Sequence, residues 1–539
     1  MNPFISIKRL APLLAVSLVG SPVHAAAPAK PNIIVILVDD MGFSDIGCYG
    51  SEIPTPNLDQ LAAGGVRFSQ FYNGARCCPT RASLLTGLYP HQAGIGHMVE
   101  DRGQDGYRGE LNRQCVTLPE VLRSAGYATY MTGKWHVTKH TTATTPEQQS
   151  NWPLQRGFEH YFGIISGKAD YFHPDTLTRD NERLPPPGDG FYTTDAFVDN
   201  AIRFVNGGPL DQPFFLYLAF NAPHFPLMAP PDDIAKFRGK YMLGWDQLRK
   251  QRHAKQITLG IVDQAWPLAP RPPELKAWDS LSAAEQDRFD HIMAIYAACV
   301  NHMDAAVGRL VAALRQRGVF DHTLIVFLSD NGGNAESGPD GRLNGTPPGA
   351  AKSDVFCGQS WAMLENTPFR RYKHFDHEGG IATPFIASWP AGIKGRGEVR
   401  QQVGHLVDLM PTCVELAGAK YPSEFNGQAI QPMEGQSLVP AFEDQALARD
   451  ALYWEHEGNA AVRAGDWKLV RLGRAGKWEL YNLKDDRTEQ HDLAQTHPER
   501  VQQLAAKWDA WAARTRVTPY PNEGKKPAKA AAGNRKTKP

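Results

Sequence analysis

Asn32-Ile33-Ile34-Val35-Ile36-Leu37-Val38-Asp39-Asp40 is an unbroken apolar run closed by two carboxylates. No polar residue alternates within it, so it reads as a strand buried on both faces, the pattern of a parallel sheet. Thr323-Leu324-Ile325-Val326-Phe327-Leu328 repeats the pattern and ends in Ser329-Asp330-Asn331-Gly332-Gly333. Residues 214–220 form a third such run. Helical stretches lie between, one at 119–126 closed by glycine and one from about 283 to 317 with apolar residues at helical spacing. The fold class expected is α/β, a large, mostly parallel sheet flanked by helices. In such sheets ligands bind beyond the carboxyl ends of the strands, which is where Asp39, Asp40, Asp330 and Asn331 fall.

Those four residues are hard oxygen donors with no Cys/His pair beside them. That set suits one Ca²⁺, with Mg²⁺ the second choice, rather than zinc. Taken singly, Asp-Asp and Asp-Asn-Gly-Gly are ordinary turn formers after strands. The metal reading rests on both pairs sitting at strand ends.

The pattern changes near residue 445. Short aromatic stretches at 451–455, 460–463, 467–471 and 478–482 are separated by Gly458-Asn459, Gly465-Asp466 and Gly473 to Gly476, an antiparallel meander. A helix follows with Val501, Leu504, Trp508 and Trp511 on one face. The division expected is a signal peptide at 1–26, an α/β catalytic domain at 30–445, a smaller antiparallel sheet plus helix at 446–520, and a disordered Lys/Ala-rich tail at 521–539. Residues 244–275 lack periodicity and read as an insertion or surface loop. Residues 335–360, rich in Gly, Pro and Ser, read as a long loop beside the Asp330 strand end.

The chain has 539 residues, with Lys+Arg and Asp+Glu both 57. That balance gives no pull toward nucleic acid. Lys8 and Arg9, the apolar stretch 10–20 and the small residues at 23–27 form a signal peptide. Its apolar part is too short for a lasting anchor. Export, to a bacterial periplasm, is expected, with no membrane span after cleavage. The seven cysteines match no zinc module and no disulfide scaffold, although one or two bridges fit the compartment.

The run Cys77-Cys78-Pro79-Thr80-Arg81-Ala82-Ser83-Leu84-Leu85-Thr86-Gly87 places a thiol, a proline and an arginine at fixed offsets. A lone cysteine before a helix is more often core than catalyst, but this one has company. Gly133-Lys134-Trp135-His136 follows a strand candidate, and Ala222-Pro223-His224 follows the 214–220 run. Tyr372-Lys373-His374-Phe375-Asp376-His377-Glu378-Gly379-Gly380 contains a K-x-x-x-x-E-G-G spacing. Together with Asn366-Thr367-Pro368-Phe369-Arg370 and Trp478-Glu479-Leu480-Tyr481, in this order from about residue 32 to 511, these segments resemble the type I sulfatases, in particular the arylsulfatase group of the alkaline-phosphatase superfamily.

The resemblance implies a sulfuric ester hydrolase. Cys77 would be converted to formylglycine by a formylglycine-generating enzyme, the offsets of Pro79 and Arg81 selecting Cys77 over Cys78. It would join Asp39, Asp40, Asp330 and Asn331 around the cation. Lys134 and Lys373 would bind the sulfate of a small ester substrate, and Arg81 would orient the nucleophile. His224 would protonate the leaving group and His136 would take a proton as sulfate departs. His374 and His377 fall outside the pattern and read as structural or rim residues. Two rival readings are a phosphonate monoester or phosphodiester hydrolase of the same superfamily and a non-catalytic exported homologue. The intact set of polar residues weighs against the second.

Overall fold

The computed structural model describes residues 30–521. The expected signal peptide and the tail beyond residue 521 lie outside the described residues. Asn32–Val38 sits at the centre of an eleven-stranded sheet. It pairs in parallel with Thr323–Ser329 on one side, Val38 opposite Ser329, and with Phe214–Ala219 on the other, Leu37 opposite Ala219. Ala128–Lys134 and then His160–Ile164 continue the parallel block. Antiparallel strands flank it, Ala382–Ser388 beside Thr323–Ser329 and Leu177–Arg179 beside His160–Ile164.

The central strand shows why the run has no polar alternation. Ile34, Ile36 and Val38 enter one core, with the 35-residue helix Ala283–Arg317. Ile33, Val35 and Leu37 enter the other, with the helix Cys77–Thr86. Each such fully buried side chain contributes roughly 1.5–3 kcal/mol. The long helix has clear ends. Ser282 and Glu285 form a capping box, and Gly318 closes it at φ 77°.

The C-terminal meander forms as the aromatic runs imply. Leu452–His456, Asn459–Ala464, Trp467–Arg471 and Glu479–Asn482 make a four-stranded antiparallel sheet. The helix Pro498–Arg514 buries Leu504, Trp508 and Trp511 against it.

One expectation is corrected. Residues 244–258 are a 15-residue helix, not a loop. Its buried face mixes Trp245 and Leu248 with Arg249, Arg252 and Gln256, so it shows no continuous apolar stripe. Arg252 bonds Asp45 at 2.6 Å and Glu52 at 2.8 Å through two nitrogens, which satisfies the buried charge. Within 335–360 the loop contains a two-stranded ribbon, Arg342–Asn344 with Asp354–Phe356. All seven cysteines are free and buried, so no disulfide forms among the described residues.

Candidate active site

Four neighbouring parallel strands deliver the site from their carboxyl ends. Asp39 and Asp40 follow Val38, Asp330 and Asn331 follow Ser329, Lys134 ends its strand, and His224 follows the Phe214–Ala219 strand. Backbone bonds lock these ends together, Asp330 N–H to Val38 O at 3.0 Å and Asp39 N–H to Ala222 O at 3.1 Å. Asp40 and His136 hold left-handed backbone, at φ 64° and 55°. Such conformations cost of order 1–3 kcal/mol each and gather where geometry serves a site.

Cys77 opens the helix Cys77–Thr86, whose ten residues are all buried. Pro79 occupies the first turn, where the missing N–H leaves no bond unmade. Thr80 fixes the helix start. Its hydroxyl donates to Asp330 O at 2.6 Å and accepts from Gly74 N–H at 2.8 Å. A hydrogen bond from Cys78, with the Lys134 ammonium and His136 close by, holds the Cys77 thiol well below the ordinary thiol range. Burial and the neighbouring Cys77 thiolate push Cys78 the other way. Donor atoms of Cys77, Cys78 and His136 lie within 4.8 Å of one another, with Cys78 Sγ 3.2 Å from His136 Nε2.

The carboxylates converge as expected. Lys134 Nζ is 2.6 Å from Asp39 Oδ2, and Arg81 spans Asp39 at 3.5 Å and Asp330 at 2.8 Å. Lys373 Nζ is 2.6 Å from Asp40 Oδ1, and Asn331 Nδ2 bonds the same oxygen at 2.8 Å. Asp39, Asp40 and His224 present donor atoms within 4.8 Å of one another. Burial, with repulsion from Asp330, raises Asp39 well above the carboxylate range. Burial also raises Asp330. For Asp40 burial is outweighed by His224 and Lys373, which hold it low.

A divalent cation fits this donor set. Asp39 Oδ1 and Asn331 Oδ1 are buried oxygens with no hydrogen-bond partner. An unpaired buried acceptor is costly, and two of them in one oxygen-rich cluster mark room for a hard cation.

Burial lowers His136 to about 4 and His224 to about 3. Both are neutral near pH 7. His224 Nδ1 is 2.5 Å from the Phe225 carbonyl, which can only accept. Nδ1 therefore carries the proton and Nε2 faces Asp40 Oδ2 at 3.5 Å.

Two residues escaped the sequence reading. Asn334 Nδ2 bonds Asp40 Oδ2 at 2.7 Å. Its signal was the second amide in Asp330-Asn331-Gly332-Gly333-Asn334. Glu378, read only as part of a spacing, is the hub of a buried network. Lys468 Nζ is 2.9 Å from its Oε1, while Arg487 Nε and Tyr72 OH each lie 2.8 Å from its Oε2. It ties the loop bearing Lys373 to the C-terminal sheet. His377 is buried against Glu479, a structural position, while His374 lies at the rim.

A mostly parallel α/β sheet thus carries an oxygen-rich cluster and a thiol-led helix at its carboxyl edge. Comparison with known proteins identifies the class. The sulfatase family model matches residues 31–419, and the model of the N-sulphoglucosamine sulphohydrolase C-terminal region matches 370–511. An uncharacterized sulfatase of Schizosaccharomyces pombe is 34% identical over 92% of this chain and 96% of its own length. An arylsulfatase of Klebsiella aerogenes is 36% identical over 80% of this chain and 96% of its own. The crystal structure of Ps i-CgsB in complex with k-i-k-neocarrahexaose aligns over 90% of this chain and 93% of that one, at TM-score 0.65 and 28% identity. The chain belongs to the sulfatase family and is a sulfuric ester hydrolase. The phosphonate monoester hydrolase of Agrobacterium radiobacter shares the fold at TM-score 0.58 and 20% identity, a likeness of fold alone, and that alternative is not favoured.

Proposed function

We propose that the protein hydrolyses sulfate monoesters of the aryl type, with residue 77 as formylglycine and one Ca²⁺ held by Asp39, Asp40, Asp330, Asn331 and residue 77. The observation that carries this reading is the approach of Asp39-Asp40 to Asp330-Asn331, with two unpartnered oxygens, beside the thiol at the head of the Cys77 helix. A cation there would neutralise charge on the sulfate oxygens and on the nucleophile. Formylglycine, once made by its generating enzyme, supplies a hydrated aldehyde oxygen as the nucleophile for sulfur.

The chain's own residues do the rest. Lys134 and Lys373, buried at the site, bind the sulfate oxygens as point charges. Arg81, held to the Lys134 carbonyl at 3.0 Å, orients residue 77. His136, neutral and next to residue 77, accepts a proton at Nε2 as sulfate leaves. His224 gains a proton at Nε2 when the anionic ester sits beside it, since a nearby negative charge raises an imidazole. It then gives that proton to the departing oxygen.

We further read residues 30–445 as the catalytic domain and 446–520 as a subdomain that braces it. Export through the 1–26 signal peptide to a periplasm fits that reading. No helix among the described residues is long and apolar enough to cross a membrane. The test has two parts. Peptide mass spectrometry should find an aldehyde at residue 77 and an intact thiol at Cys78. A panel of aryl sulfates, alkyl sulfates, sulfated sugars and phosphate diesters should show aryl sulfates turned over fastest. Full activity with an intact Cys77 thiol would refute the nucleophile, and preference for phosphate diesters would refute the substrate class.

A further inference from the structure

Above the catalytic cluster, on the rim, three histidines and a glutamate meet. His374 follows Lys373, and His456 and Glu457 turn the first hairpin of the C-terminal sheet. His374, His456 and Glu457 bring donor atoms within 4.8 Å of one another. His374 Nδ1 is 3.1 Å from Glu457 Oε2, and His456 Nε2 is 3.7 Å from Glu457 Oε1. His97 approaches that second oxygen at 3.0 Å, with Arg102 donating to the same ring nitrogen at 2.8 Å.

Two further observations single this cluster out. His456 is fully buried, yet neither of its ring nitrogens has a hydrogen-bond partner. A buried imidazole with two unmet nitrogens is costly unless something else uses one. In addition, His374 holds left-handed backbone at φ 84°, the kind of non-glycine outlier that function retains. Glu457, at φ 53°, owes its conformation to the two-residue hairpin turn it forms with Gly458.

We propose that His374, His456 and Glu457 form a second metal site, of zinc type, with His97 at its edge. It is distinct in chemistry from the oxygen cluster below. Imidazole nitrogens with one carboxylate suit Zn²⁺, whereas the lower site is mostly carboxylate and amide oxygen, with His224 beside it. An ion about 2.0–2.1 Å from each nitrogen needs donors roughly 3.3 Å apart, a contraction of the present cluster by up to about 1.5 Å. The outer partner is already present. Glu336 Oε1 lies 3.2 Å from His374 Nε2, and Nδ1 is turned toward Glu457. This is the carboxylate–histidine arrangement that orients metal-bound imidazoles. Arg76 pairs with the same Glu336 oxygen at 2.7 Å and crowds the ring nitrogen. A cavity of about 230 Å³ adjoins the cluster as an entry path, its lining of Arg102 and Arg474 balanced by Glu455 and Glu457. An ion here would clamp the C-terminal hairpin to the loop carrying Lys373.

The site can be tested with Zn²⁺ alone on the untagged, chelator-treated full-length protein. Cys77, Cys78 and His136 are themselves zinc-competent, so the measurements use a Cys77→Ala/Cys78→Ser background. Isothermal titration should show one Zn²⁺ bound, and Co²⁺ should give the intense visible bands of a tetrahedral nitrogen–oxygen site. Adding Asp39→Asn should leave both signals in place. Adding His456→Ala or Glu457→Gln should weaken binding at least tenfold and abolish the rise in Tm that Zn²⁺ produces. Glu457→Gln, on an exposed turn, decides the matter should His456→Ala fail to fold. No uptake in the parent would overturn the proposal and leave the cluster an imidazolium–carboxylate ion pair. Equal uptake in parent and variants would overturn it too.

Discussion

Two of the fully buried groups of charges among the described residues are built from the same parts. Around Glu378 both carboxylate oxygens are taken, one by Lys468 and the other by Arg487 and Tyr72. Around Asp39 one oxygen takes Lys134 and Arg81 while the other takes nothing. The energetics follow the geometry. Lys468 and Arg487 outweigh burial and bring Glu378 down to about 2, whereas burial and Asp330 drive Asp39 far upward. A buried charge that is fully matched holds two elements together. A buried charge left part-matched keeps a place for something that arrives later. Lysines, arginines and carboxylates alone do not tell the two apart; the difference is that Asp39 keeps an oxygen unclaimed and Glu378 does not.

The contrast is broken most simply at Cys77. Cys77→Ala should cut kcat by a thousandfold or more, on the order seen when a nucleophile is removed, with an unchanged urea midpoint. A matching loss of stability would place Cys77 with the structural group instead. His224→Ala sharpens the reading of the functional group. It should cost about 10²–10⁴-fold on phenyl sulfates with poor leaving groups and little on those with good ones. A uniform loss across leaving groups of different acidity would remove His224 from proton donation.

Glu378→Gln probes the other side. Breaking one partner of a buried pair should cost about 3–5 kcal/mol in urea unfolding, while the folded fraction keeps its KM. Its pH dependence has a definite sign. The folded value, about 2, lies below the ordinary 4.5 of a glutamate. The stabilisation is therefore complete above about pH 4.5 and is lost as pH falls through about 2. The gap in unfolding free energy between wild type and Glu378→Gln should be constant above pH 4.5 and narrow below it. A gap that widens on acidification would mean that Glu378 is not held ionised by its partners. The smallest effect is expected at Cys78→Ser, less than about tenfold in kcat/KM, because Cys78 touches His136 but is not the residue selected for conversion.

The sequence displayed the functional group far better than the structural one. Asp39-Asp40 and Asp330-Asn331 close runs whose burial on both faces is written in their composition, so strand, strand end and site were legible together. The Glu378 network was not, because its partners, Lys468 and Arg487, lie about 90 and 109 residues downstream. The helix Gly244–Thr258 was missed for a related reason. Its inward face interrupts Trp245 and Leu248 with Arg249, Arg252 and Gln256, and hydrophobic periodicity registers poorly in a helix that buries Arg252 against Asp45 and Glu52. Asn334 sat in plain view, but an amide after two glycines looks like any turn.

The backbone of the two site loops touches where Gly332 N–H bonds Gly380 O at 3.0 Å, and a β-carbon built on Gly332 would lie 1.9 Å from Gly379 O. A β-carbon on Gly379 would in turn lie 2.2 Å from Arg371 O. For anyone diversifying this enzyme, these glycines set a boundary. A library at the exposed positions of the 335–360 segment, such as Asp340, Arg342, Asn344 and Thr346, meets no such limit. Even alanine at 332 or 379 would part Asp330 and Asn331 from Lys373, although neither glycine has a side chain to offer a substrate.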